Sequence, residues 1–211
     1  MANNITLTTT ETFRAFRRNW LSVAGGLLVL SVFVVALFAP WISPHDPSQI
    51  DVKHILVGPT LGHPFGTDEL GRDVLTRMIF GARISLLVGF VAIGIATLIG
   101  VLVGAVAGFY GGTIDSAFMR FVDIMLSIPT IFLILAVIAI LEPSITNIMI
   151  VIGLTSWMEP ARLVRAEFIA IKEREYVTAA RALGASDGRI IFKHILPNGL
   201  SPILVSATMG I

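Results

Sequence analysis

The chain has no cysteine, so neither a disulfide framework nor a thiolate metal site is open to it. It is also poor in charge: Asp, Glu, Lys and Arg make up 14% of its 211 residues, against 55% hydrophobic residues and a mean hydropathy of +0.86. Soluble domains are about one quarter charged, so this composition excludes an ordinary water-soluble domain and assigns the chain to a bilayer. No G-x-x-x-x-G-K-[ST] sequence occurs, and Gly104 to Gly112 is followed by no Lys, so the chain does not cradle a nucleotide by that route. The net charge of +1 gives no pointer to nucleic acid.

What is present is a series of uncharged runs: Asn19 to Pro44, Ile84 to Ile114, Ile124 to Leu141 and Pro143 to Met158, with a fifth beginning at Ile195. A membrane helix needs about 20 apolar residues, and flanking Arg and Glu side chains can extend the shorter runs. These runs contain no Asp, Glu, Lys, Arg or His, which argues against a proton-driven secondary transporter. Leu21 to Phe38 is longer than a signal-peptide core, and Ala36-Leu37-Phe38-Ala39 is a poor cleavage site, so the first run is expected to stay as an anchor.

The expected organisation is an N-terminal cytoplasmic segment (1–18), a first span (19–42), an outer loop (43–83) and a helical core (84–211). In the core, spans are expected at about 84–108, 120–141 and 144–159, then a cytoplasmic loop at 160–198 and the start of a fifth span at 199–211. With the N-terminus inside, eleven of the fifteen Lys and Arg face the cytoplasm; only Lys53, Arg72, Arg77 and Arg83 lie outside, beside six carboxylates, as the positive-inside rule requires. In the outer loop, a helix capped near Thr67 or Asp68 is expected to lie along the interface on a stripe of Leu70, Val74, Leu75, Met78 and Ile79. Ala92, Ala96, Gly100, Gly104 and Gly108 recur every fourth residue and share one helix face, suited to close packing either within the chain or against a partner. Pro129 removes the amide that would bond the Met125 carbonyl, so a kink is expected there. His45, His54 and His63 are spaced nine apart in a loop, a pattern that pins nothing together; they read as solvated, and no metal site is expected. His194 is read as a packing residue.

Good helix formers run from Ala161 to Leu183, with Pro160 in the first turn and Gly184 suited to a left-handed cap. Ser186 or Asp187 then opens a second short helix through Lys193, and Pro197 is expected to stop it from continuing into the next span. This polar elbow resembles the EAA loop of ABC importer permeases, a pattern of Glu-Ala-Ala, three residues, Gly, nine residues and Ile-x-Leu-Pro. Ala179, Ala180, Gly184, Leu196 and Pro197 are in register, while Thr178 replaces the Glu and His194 the Ile. Further stretches are similar to the C-type subunit of the dipeptide, oligopeptide and nickel permeases: Pro64 to Leu75, Gly81 to Leu86, Gly108 to Gly112, Met119 to Asp123 and Gly153 to Arg165.

The resemblance implies an all-α, polytopic helical bundle of the type I ABC importer permease kind in the cell inner membrane. It also implies a non-catalytic subunit with no cofactor, pairing with a homologous B-type permease subunit, two cytoplasmic ATP-binding subunits and an extracytoplasmic solute-binding protein. Thr178, Ala179, Ala180, Gly184, Ala185, Asp187, Leu196 and Pro197 would form the coupling loop, and Gly100, Gly104, Gly108 and Pro129 would shape helix packing. Such subunits have six spans, so on this reading a chain stopping at Ile211, inside the fifth, is a truncated form. The alternatives are an ATP-independent channel or facilitator, which would conduct without the elbow, and a non-functional permease fragment.

Overall fold

A computed structural model describes residues 14, 16–141 and 144–210. Most of the expected 1–18 segment, Glu142, Pro143 and Ile211 therefore lie outside the described residues. The chain divides into two compact units, Met1–Leu86 and Leu87–Ile211.

In the first unit, α1 (Trp20–Leu37) is opened by Asn19, whose side-chain oxygen accepts from the Leu21 amide. Its 18 residues reach about 27 Å at 1.5 Å per residue, close to the thickness of a hydrocarbon core. A short α2 (Ala39–Ile42) follows, with Pro40 in its first turn, where a missing N–H costs nothing. The next stretch is a folded loop: a 3-10 turn at Val52–His54 is capped by Asp51, and Thr67 bridges to Asp73 in an isolated antiparallel pair. Buried Thr67 accepts from the Val57 amide and donates to the His54 carbonyl, so both of its hydroxyl functions are used.

The separate interfacial helix is not formed. Asp68 spends its carboxylate on the Leu70 and Arg72 amides and on the Arg72 and Arg77 guanidiniums, which makes a turn rather than a helix start. Asp73 opens the helix instead: its Oδ2 accepts from the Thr76 amide at 2.8 Å and its carbonyl from the Arg77 amide at 3.1 Å. Burial pushes the Asp73 carboxyl up, but bonds from the amide and hydroxyl of Thr76 and from His63 outweigh it, so it stays below the usual carboxylate value. From there α3 (Val74–Tyr110) runs unbroken for 37 residues, so the expected interfacial stripe and second span belong to one helix and Leu70 to the turn before it.

In the second unit, α4 (Gly112–Ser127) and α5 (Thr130–Ile140) meet at 79°. The expected kink at Pro129 is thus a complete break, because Ile128 takes an extended conformation, as residues before proline prefer, and bonds back only to the Met125 carbonyl. α5 and α6 (Ile145–Thr155) are 11 residues each, about 16 Å, and neither matches a full span alone. The expected spans at 120–141 and 144–159 are accordingly a bent pair and a short helix.

α7 (Met158–Lys172) and α8 (Glu175–Ala182) replace the single helix expected from Ala161 to Leu183; Arg174 is extended between them. α9 (Asp187–Arg189) passes through a π-helical segment, Ile190–Ile195, into α10 (Leu196–Gly210). Pro197 therefore does not interrupt the chain as expected. The widened turn, with Leu196 N–H bonded to the Ile191 carbonyl, accommodates the proline ring, and Asn198 Nδ2 donates to the His194 carbonyl at 2.7 Å.

Two apolar clusters hold this unit. One gathers Phe109, Val164, Phe168, Val177, Ile190, Ile195 and Ile203; the other gathers Ala96, Val122, Trp157, Met158 and Ala161. The small-residue face of α3 lies directly against α7. A Cβ on Gly100 would come within 2.6 Å of Pro160 Cβ, on Gly104 within 2.5 Å of the Ala161 carbonyl oxygen, and on Gly108 within 2.7 Å of Phe168 Cβ. Packing inside the chain occupies that face.

Candidate functional site

The elbow is built from α8, its cap and α9. Leu183 N–H bonds to the Ala179 carbonyl, Gly184 N–H to Arg181 and Ala185 N–H to Ala180, which closes the helix in a left-handed cap with Gly184 at φ +80°. Glycine takes this conformation without the steric penalty of a Cβ. Nothing lies within 4 Å of where a Gly184 Cβ would be, so the cap stands free.

Anchoring and exposure alternate along this segment. Val177, Ile190 and Ile195 are fully buried in the larger cluster, and Ala185 and Leu196 pack against its edge. Thr178, Ala179, Gly184, Asp187 and Pro197 are exposed, and Ala180 is half-buried. Thr178 Oγ1 donates to the Arg174 carbonyl at 3.3 Å, turning its hydroxyl back onto its own helix. His194 is half-buried beside Ile195.

Sequence reasoning missed the two large apolar side chains at the tip, Leu183 (89% exposed) and Phe192 (70% exposed). Leu183 lies about 120° around the helix from the buried Val177, a phase offset visible in the sequence. Phe192, two residues after the buried Ile190, lies on the opposite side of its helix.

The helix that leads into the elbow, α7, is tied to α4 by charge. Arg165 on α7 grips Asp115 on α4 through both Nε and Nη2, the second bond at 2.6 Å, and Arg162 pairs with Asp123 one turn nearer the α7 N-terminus. The Arg181 guanidinium lies 5.9 Å from the centroid of the buried Phe109 ring, with Lys172 Nζ at 6.0 Å from the same centroid. A cleft of about 160 Å³ between α3, α7 and α10 carries the polar groups of Thr97, Ser156, Glu159 and Ser206. Cavity-lining residues of this kind were not legible beforehand, because helix orientation decides them.

The outer-loop histidines differ from expectation. The rings of His45 and His63 stack at 4.8 Å, His63 Nδ1 sits 3.0 Å from Asp73 Oδ1, and His54 Nδ1 is 2.7 Å from Asp51 Oδ2.

Comparison with known proteins fits this architecture. Residues 100–211 match the family described as binding-protein-dependent transport system inner membrane component, and residues 8–59 match the N-terminal TM domain of oligopeptide transport permease C. The chain is 43% identical over 200 residues to the dipeptide transport system permease protein DppC of Alkalihalophilus pseudofirmus, covering 95% of this chain and 66% of that one. It is 37% identical to the oligopeptide transport system permease protein OppC of Bacillus subtilis, over 93% of this chain and 64% of the other. It is 41% identical to the glutathione transport system permease protein GsiD of Escherichia coli, over 95% and 67%. The chain thus spans roughly two thirds of the length of these relatives, 64% to 67%.

Proposed function

Because the chain belongs to the binding-protein-dependent transport system inner membrane component family, we propose that it is a permease subunit of an ATP-driven importer of di- or oligopeptides. On this reading it pairs with a homologous B-type permease subunit and receives substrate from an extracytoplasmic binding protein. Of two cytoplasmic ATP-binding subunits, one docks on its elbow. The chain supplies a path and a lever, while hydrolysis takes place on the ATP-binding subunits.

The observation that carries this reading is the elbow itself, anchored by Val177 and Ile190 and presenting Leu183, Gly184 and Phe192 outward. Exposed Leu183 and Phe192, with the small Gly184 between them in the chain, suit a groove on a partner, and the exposed Asp187 and Arg189 would set pairing more than affinity. A push on α8 passes into α7 and, through Arg165, Arg162 and the glycine contacts, into α3 and α4. To reverse a two-state cavity from 1:99 to 99:1 the partner must supply about 5.5 kcal/mol of differential binding.

The absence of cysteine makes the test direct. Single cysteines at Leu183 and at Phe192 should cross-link in native membranes to an ATP-binding subunit, and Gly184→Val should abolish that docking while membrane insertion persists. Cross-links to no nucleotide-binding protein, or undiminished docking in Gly184→Val, would refute the elbow assignment. Solute flux that survives removal of residues 176–193 would favour a facilitator.

A further inference from the structure

We propose that the folded loop ahead of α3 is a binding site for a divalent transition ion of the zinc class, with His45, His63 and Asp73 as protein ligands. The three offer one donor atom each, and all three atoms lie within 4.8 Å of one another. His45 Nδ1 is 3.9 Å from Asp73 Oδ2, and His63 Nδ1 is 3.0 Å from Asp73 Oδ1. The two histidines approach different oxygens of Asp73; ligands held tetrahedrally at about 2.0–2.1 Å from zinc stand about 3.3–3.5 Å apart, so the donors must draw together to close on an ion, and His45, its side chain 35% exposed, is the most exposed of the three.

An independent observation points to a ligand at this place. His45 Nδ1 is buried and has no hydrogen-bond partner among the described residues. A lone pair or N–H removed from water and left unsatisfied is costly, and coordination would satisfy it. His54, held through Nδ1 by Asp51, lines the same cavity of about 110 Å³ without bonding to any of the three ligands. Two imidazoles and one carboxylate select a borderline ion such as Zn²⁺; Mg²⁺ and Ca²⁺ require mostly oxygen ligands. Coordination would join three separated positions, 45, 63 and 73, and so fasten the loop to the N-terminus of α3. The site is independent of the transport reading.

The test is titration of the 211-residue chain, purified in detergent without a histidine tag and stripped by a chelator, with Co²⁺ followed by its visible d–d absorption and then displaced by Zn²⁺. One Co²⁺ per chain with an intense tetrahedral-type spectrum is expected. His45→Gln and His63→Gln should each weaken binding by more than the ~100-fold that loss of an outer partner costs; His54→Gln, which removes no ligand, should weaken it far less, and His194→Gln should change nothing. Thermal unfolding in chelator separates ligand loss from misfolding. Asp73 is left intact because it caps α3, and if His63→Gln unfolds, the half-exposed His45→Gln decides the question alone. Weak, non-saturating Co²⁺ binding overturns the proposal. So does wild-type affinity in a folded His45→Gln or His63→Gln chain.

Discussion

The glycines of the α3–α7 contact and the glycine of the elbow do opposite jobs with one residue type. At Gly104 the backbone is ordinary helix and space is the constraint: the Ala161 carbonyl oxygen lies 2.5 Å from the position of a Cβ. At Gly184 space is unlimited and the backbone is the constraint, at φ +80°. A substitution therefore acts through a neighbour in the first case and through its own chain in the second. One region is finished inside the molecule, whereas the other presents a preformed shape with nothing yet against it.

Gly71 combines both constraints, with φ +72° and the Asp51 carbonyl oxygen 1.8 Å from a would-be Cβ, so it offers the most severe way to probe the contrast. Gly71→Ala should lose about 2–5 kcal/mol, the sum of a left-handed penalty and overpacking, and show the largest drop in melting temperature in detergent. Gly104→Ala, which meets only the clash, should cost about 1–3 kcal/mol by the same assay. If Gly104→Ala melts like the wild type, α7 can move aside and the contact is looser than its geometry implies. Gly184→Ala should cost about 1–2 kcal/mol, with Gly184→Asn recovering part of it because Asn tolerates the left-handed region. At Gly104 the order should invert, with Asn worse than Ala. An equal ranking at both sites would erase the distinction.

Acid offers a finer probe of the Gly71 turn. Burial pushes Asp68 up, yet the Arg72 and Leu70 amides and the Arg72 side chain hold it down at about 2. A carboxyl lowered from 3.8 stabilises the fold fully above 3.8, and the contribution disappears as pH falls through about 2. Melting temperature should thus decline between pH 4 and 2 less steeply in Asp68→Asn than in the wild type. The smallest expected effect is at Gly94, inside α3 with nothing within 4 Å of its Cβ position: Gly94→Ala should raise stability by about 0.5–1 kcal/mol.

The elbow could be read with little structural help because its signals are local. Gly184 follows a run of helix formers, and the spacing from Ala179 to Pro197 survives any packing arrangement. The helical breaks were harder. Pro129 announced a disturbance, but whether a proline kinks or separates two helices depends on what neighbouring residues do, and Ile128 settled it by turning extended. Pro197 announced a stop that the preceding π-helical turn absorbed. The start of α3 was misplaced because Asp68 and Asp73 are both good capping residues; the Asp68 carboxylate closes a turn onto the Leu70 and Arg72 amides within the Thr67–Asp73 bridge, and Asp73 opens the helix.

Sequence alone determined the bilayer setting, the apolar segments and the capped elbow, since hydropathy and backbone preference act on residues near one another in the chain. Tertiary structure alone decided what touches what. The face of Gly100, Gly104 and Gly108 suited any close neighbour until α7 filled it. Leu183 and Phe192 were two hydrophobic residues among many until the fold left them exposed. Three loop histidines at regular intervals carried no meaning until chain reversal brought two of them to Asp73. Contacts between distant positions depend on the path of the backbone between them, and a linear pattern does not contain that path.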